Sequence, residues 1–206
     1  MTERFVGIDV GARELHCAAL DGSGTMLAHA VVPAHDAAAL ASWCAPAAVI
    51  AIDAPEAPST APHADREGLS PKFRAARCAE IELGYRHGSW VSWTTPRAPP
   101  FPGWMQTGFA AFAALRVPGG PELLEVYPFA AFRELARGVR LAKKQAVAGR
   151  RQRARLLGCA GVRGEDLDSL SHHMLDALVA AVVARDRARP VTCGHDGSRI
   201  WLPATP

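Results

Sequence analysis

The chain has 206 residues, 49% of them hydrophobic and 21% charged, with a formal net charge of +3 at pH 7. That length suits one domain with a real core and leaves two full lobes cramped. No stretch approaches the apolar length of a membrane span and the first 30 residues lack an export signal, so a cytoplasmic protein without a membrane partner is expected. A charge of +3 does not by itself mark a nucleic-acid binder. The cysteines at 17, 44, 78, 159 and 193 are odd in number and never closely spaced. They read as small buried hydrophobes with reduced thiols, not as a disulfide framework or a zinc knuckle.

In chain order, Arg4–Val10 is an apolar strand, residues 11–13 a turn, residues 14–20 a second strand, Asp21-Gly22-Ser23-Gly24 a hairpin turn and residues 25–32 a third strand. Residues 36–44 start like a helix at Asp36, and residues 48–53 form an apolar strand cut off by Pro55. A strand reached through a helical crossover is most simply parallel to the first, which brings the two Asp-bearing strand ends together. Residues 54–121 break this pattern with prolines and with Trp90, Trp93 and Trp104, around helical stretches at 72–83 and 106–115. They read as an insertion beside the core, forming one wall of a substrate cleft or simply packing. Residues 122–127 form a further strand carrying Glu125. Helices are expected at 129–137, 143–157 and 171–187, then a closing strand or tail at 198–202. One domain over 1–206 with an insertion at about 54–121 is the expected organisation.

The chemistry is carried by acids in apolar surroundings. Asp9 lies inside a buried-looking strand and Asp53 ends another. An unpaired carboxylate taken out of water costs several kcal/mol unless a cation or hydrogen-bond donors compensate. Asp176 follows His172 and His173 in the first turns of the last helix, whose Leu175, Leu178, Val179 and Val182 form a stripe facing the sheet. With Glu125, these make four acids in four elements. Converging carboxylates repel, and two Mg2+ or Mn2+ ions, hard cations that prefer oxygen, relieve the repulsion. Held roughly 3.5–4 Å apart, such ions activate water and stabilise the leaving oxygen of a phosphodiester. Between residues 133 and 155 nine cations stand against one acid, Glu134. Within that block Lys143, Lys144, Arg150 and Arg153 are candidates for phosphate contact, the other reading being a solvated helix face. Each site residue also has a plainer reading: Asp9 as a turn former before Gly11, Asp53 as a strand stop, Glu125 as a water-facing edge residue, His172 as a cap and the tryptophans as packing.

Gly7-Ile8-Asp9-Val10-Gly11, the three-strand meander, Ile52-Asp53-Ala54-Pro55, Glu125-Val126-Tyr127-Pro128, the segment from Lys143-Lys144 to Gly149-Arg150-Arg151, and His173-Met174-Leu175-Asp176-Ala177-Leu178 occur in an order that resembles a family of predicted RNase H-like nucleases. That bacterial and archaeal family is catalogued as a domain of unknown function, number 429; Arg74, Arg77 and Cys78 add to the likeness. The start of the last helix is also similar to that of Holliday-junction resolvases. The resemblance implies an α/β, RNase H-like fold: a mixed five-stranded sheet with flanking helices and a Pro/Trp-rich insertion after the fourth strand. It implies Asp9, Asp53 and Asp176 as metal ligands, His173 as ligand or proton shuttle and Glu125 as a further acid matching Glu-x-Tyr-Pro. The expected activity is metal-dependent hydrolysis of a nucleic acid by a two-metal mechanism. Two other readings stand beside it, an actin-like nucleotide-binding protein and a binding module of the same fold without turnover. The oligomeric state is left open, a homodimer included.

Overall fold

The computed structural model describes residues 3–60, 68–164, 166–188, 190–194 and 196–204. Five strands, β1 (Arg4–Val10), β2 (Glu14–Asp21), β3 (Met26–Pro33), β4 (Val49–Asp53) and β5 (Glu122–Glu125), form one sheet in the order β3-β2-β1-β4-β5. The meander β1-β2-β3 is antiparallel, and β4 and β5 run parallel to β1. This mixed five-stranded sheet with flanking helices is the arrangement that the resemblance implies.

Helix α1 (Ala37–Cys44) makes the crossover into β4, and the Asp36 carboxylate caps it by accepting from the Ala39 amide at 2.8 Å. Helices α2 (Cys78–His87), α3 (Gly103–Leu115), α4 (Pro128–Leu135), α5 (Val147–Cys159) and α6 (His172–Asp186) follow. Alternation along the strands sorts the core into two layers. Val6, Ile8, Ile50 and Ile52 pack with Leu40 of α1 and with Ala111, Phe112 and Leu115 of α3. Phe5, Ala18, Leu20, Val49 and Ala51 pack with α4, α5 and α6.

The sequence suggests a one-sided apolar stripe on α6, but every residue from 174 to 184 is buried. The sheet lies under this helix and α4 and α5 lie beside it, so it has almost no solvent face. Gly7 sets how closely it approaches. A Cβ there would stand 2.0 Å from the carbonyl oxygen of Ala177 and 2.2 Å from the amide nitrogen of Ala181, so only glycine lets the helix backbone rest on β1.

Two local expectations change. The helix expected over 72–83 divides into a single 3-10 turn at Pro71–Phe73 and α2, which starts at Cys78. Helix α5 begins at Val147 instead of 143. The end of the chain is the tail of the two alternatives: it contributes isolated bridges, Val126 with Trp201 and Val191 with Ile200, and among the described residues no regular strand. Cys78 and Cys193 are disulfide-bonded with Cα atoms 5.7 Å apart, contrary to the expectation of reduced thiols throughout; Cys17, Cys44 and Cys159 are free. Among the described residues no helix is long and apolar enough to cross a membrane.

Candidate active site

Asp9 and Asp53 are register partners across the parallel pair β1 and β4. By the two-residue period both continue the series Phe5 and Val49-Ala51 that faces α6, so both carboxylates leave the sheet on the side where that helix begins. Ser171 caps α6, its hydroxyl accepting from the Met174 amide at 3.1 Å. The first turns carry His173 and Asp176 over the two strand ends. Asp9 and Asp176 are almost fully buried, at 4% and 2% exposure. Burial, then the charges of Asp9 and Asp176, push Asp53 well above the usual carboxylate range. Burial also raises Asp176, against the opposing pull of Lys144.

The chain's own cations answer these charges. Lys144 donates from Nζ to Asp176 Oδ2 at 2.6 Å. Burial works against the Lys144 ammonium, but Asp176, Asp9 and Asp53 outweigh it and raise its pKa. His173 Nδ1 lies 2.8 Å from Asp9 Oδ2, and that hydrogen bond holds the imidazole above its ordinary value. His172 goes the other way, lowered by burial and by its neighbours His173 and Lys144. With these contacts in place, no group of three or more His, Cys, Asp or Glu among the described residues is arranged to hold a metal ion.

His16, not singled out from the sequence, belongs here too. It pairs with Asp9 across β1 and β2, is 9% exposed and stacks on His173 with ring centroids 4.8 Å apart. Its only sequence signal is a polar residue at a buried position of an alternating strand.

Glu125, expected with the other acids, lines the same cavity as they do but is held by an arginine. It stands opposite Ile52, whose side chain belongs to the α1 and α3 layer, so it is out of phase with Asp53. Its carboxylate accepts from Arg77 Nη1 at 2.7 Å, from Arg77 Nη2 and from the Glu56 amide at 2.9 Å. Arg77 also binds Glu80, which in turn accepts from the Thr95 amide and hydroxyl. Arg77, Glu80 and Glu125 are all at most 5% exposed. This network joins the insertion to the sheet, and it takes both oxygens that a metal ion would need from Glu125.

The four basic candidates separate as well. Residues 140–146 fold back over the first turns of α5. Gln152 Nε2 donates to the Arg140 carbonyl at 2.9 Å, Arg153 Nη1 donates to the Ala142 carbonyl at 3.0 Å, and Gly149 leaves room for the Lys143 carbonyl. This strap delivers Lys144 to Asp176 and leaves Lys143 exposed. Arg150 is half-buried and donates to the Gln145 carbonyl at 2.8 Å. Arg153, expected to contact phosphate, is 3% exposed, lies over the Phe132 ring and reaches the edge of the cavity.

A cavity of about 700 Å³ opens over the acids. Asp9, Asp53, His173, Asp176, Lys143 and Lys144 line one side of its chemistry; Trp90, Trp93, Trp104, Tyr127 and Phe129 supply rings to the same space.

Residues 104–197 match the family model described as "Protein of unknown function (DUF429)". That is the family the sequence resembles. The matched stretch takes in Glu125, Lys143, Lys144, His173 and Asp176 and leaves Asp9 and Asp53 outside it. A comparison with curated proteins finds no match. Among solved structures, the chain is similar to "T. thermophilus RuvC in complex with Holliday junction substrate", at 16% identity and a TM-score of 0.41, over 86% of this chain and 90% of that one.

Proposed function

We propose that this protein is a divalent-metal-dependent nuclease that hydrolyses phosphodiester bonds of a nucleic acid. The observation that carries the reading is the gathering of Asp9, Asp53 and Asp176, from two strands and a helix, beside one cavity. Two of these acids are raised, first by burial and then by the charge of neighbouring acids. An all-carboxylate donor set suits Mg2+ or Mn2+. Asp9, Asp53 and Asp176 would hold one ion or a pair, which when bound supplies an acidified water and positive charge for the developing phosphorane oxygens.

The chain's own groups then have definite tasks. Lys144, tied to Asp176 while the acids lack other cations, would turn to a phosphate oxygen of the substrate. Exposed Lys143 would hold a flanking phosphate. His173, anchored through Nδ1 to Asp9 and raised by that bond, would give a proton to the leaving oxygen. His16 keeps the His173 ring oriented by stacking.

Purified protein incubated with Mg2+ and branched, single-stranded and duplex substrates tests the reading. Cleavage of at least one substrate, lost by a hundredfold or more in Asp9→Asn and in Asp53→Asn, is the expected result, on the order of the loss when a charge-stabilising group is removed. Undiminished cleavage by both variants sinks it. The Lys144–Asp176 pair favours a second reading, a binding module whose acids are satisfied by the chain's own cations. In that case Mg2+ would leave the melting temperature unchanged, whereas an occupied site raises it.

A further inference from the structure

The aromatic side of the cavity has no part in the hydrolysis just described. Two of its rings are explained by packing: Trp104 rests on the α1 and α3 layer, and Trp90 lies over Gly84 and against Phe73 at 4.7 Å. Trp93 differs, with 64% of its surface exposed beside the acids. A tryptophan left this open at a concave, charged site is a surface awaiting a flat ligand.

Trp93 is held on a fixed backbone. Thr95 is bound through its amide and hydroxyl to Glu80 of the buried Arg77 network. The carbonyl of Val91 accepts from Lys72 Nζ at 3.0 Å. The backbone that carries the ring is therefore held on both sides, which lowers the ordering that stacking on the ring costs.

A ligand matching the whole cavity needs an apolar face for Trp93 and an anionic group for Lys143 and Lys144. Nucleotides combine the two, but a duplex hides its base faces in its own stack and offers only edges. An unpaired strand offers a face at every residue, and a cavity of about 700 Å³ accommodates a ligand of nucleotide size. We infer that the cavity takes an unpaired stretch of nucleic acid, one base stacked on Trp93 and the adjoining phosphate directed to Lys144 and the acids. The choice of nucleic acid rests on the nuclease reading; the preference for unpaired nucleotides rests on the rings.

The test is fluorescence anisotropy with labelled single strands, duplexes of the same sequence and a labelled mononucleotide, in DNA and RNA arms, using full-length Asp53→Asn protein so that cleavage does not intrude. Single strands of either sugar should bind at least tenfold tighter than the duplex and the mononucleotide. Trp93→Ala in the same background should lose roughly tenfold for single strands alone, while Trp93→Phe keeps most of the affinity. Trp93 is exposed, so its variants should melt with the parent. Equal affinity for duplex, equal affinity for the mononucleotide, no effect of Trp93→Ala, or no binding at all overturns the inference. Selective single-strand binding without cleavage by the parent protein overturns the nuclease reading and leaves this inference standing.

Discussion

Asp9 and Asp53 face each other in register across β1 and β4, and both line one cavity with Asp176. Asp53 and Asp176 are raised, by burial and neighbouring acids, and His173 is raised by its bond to Asp9. A group with a folded pKa above its unfolded one adds stability below the unfolded value and loses it as pH rises through the folded value. In a chelator, the melting temperature should therefore fall as pH climbs from the ordinary carboxylate range through neutrality. Asp53→Asn should flatten that slope. Calorimetry giving a slope of the opposite sign, or an unchanged slope in the variant, refutes the account.

Lys144 is the cation closest to Asp176. Lys144→Met leaves a nearly fully buried carboxylate without its donor and should cost about 1–3 kcal/mol in urea unfolding. Millimolar Mg2+ should restore part of the loss, since an ion can take the vacated place. A variant as stable as the parent would mean that the pair does not persist in solution.

Gly7 should tolerate no side chain. Gly7→Ala drives a methyl group into the backbone of α6 at Ala177 and Ala181, where nothing flexible can yield. The expected loss is about 3 kcal/mol or more, beyond ordinary overpacking because the obstacle is main chain. Denaturant titration measures it directly.

Arg77→Met strands Glu80 and Glu125 together in a dry interior. The loss should be about 3–5 kcal/mol, the range for breaking a buried ion pair from one side. The double variant with Glu125→Gln should recover some of it, and a double-mutant cycle without coupling would contradict the geometry.

Thiol chemistry distinguishes all five cysteines. Burial pushes Cys44 up to about 12 and raises Cys17 further, so neither supplies thiolate near neutral pH, while Cys159 is exposed. Alkylation of folded protein at pH 8 should label Cys159 alone. Denaturation without reductant should expose three thiols, and with reductant five. Five thiols without reductant would exclude the Cys78–Cys193 bond.

Much of the scaffold could be read along the chain. The apolar runs at β1 and β4, the Gly-rich hairpin and the Asp36 and Ser171 caps report local preferences, and one helical crossover between two such strands leaves parallel pairing as the simple outcome. That logic was enough to make Asp9 and Asp53 neighbours. Periodicity describes the faces of a single element, however, and says nothing about its phase against the next. Glu125 falls out of phase with Asp53 because of how β5 registers on β4, and its charge goes to Arg77, a partner 48 residues away. Lys144 reaches Asp176 because residues 140–146 double back across α5, and Trp93 joins the acids' cavity because a buried ion network pins its loop. Such meetings of charge with charge and ring with cavity are long-range packing events. Their energies depend on desolvation and on what else is buried nearby, quantities that come into being when the chain closes on itself.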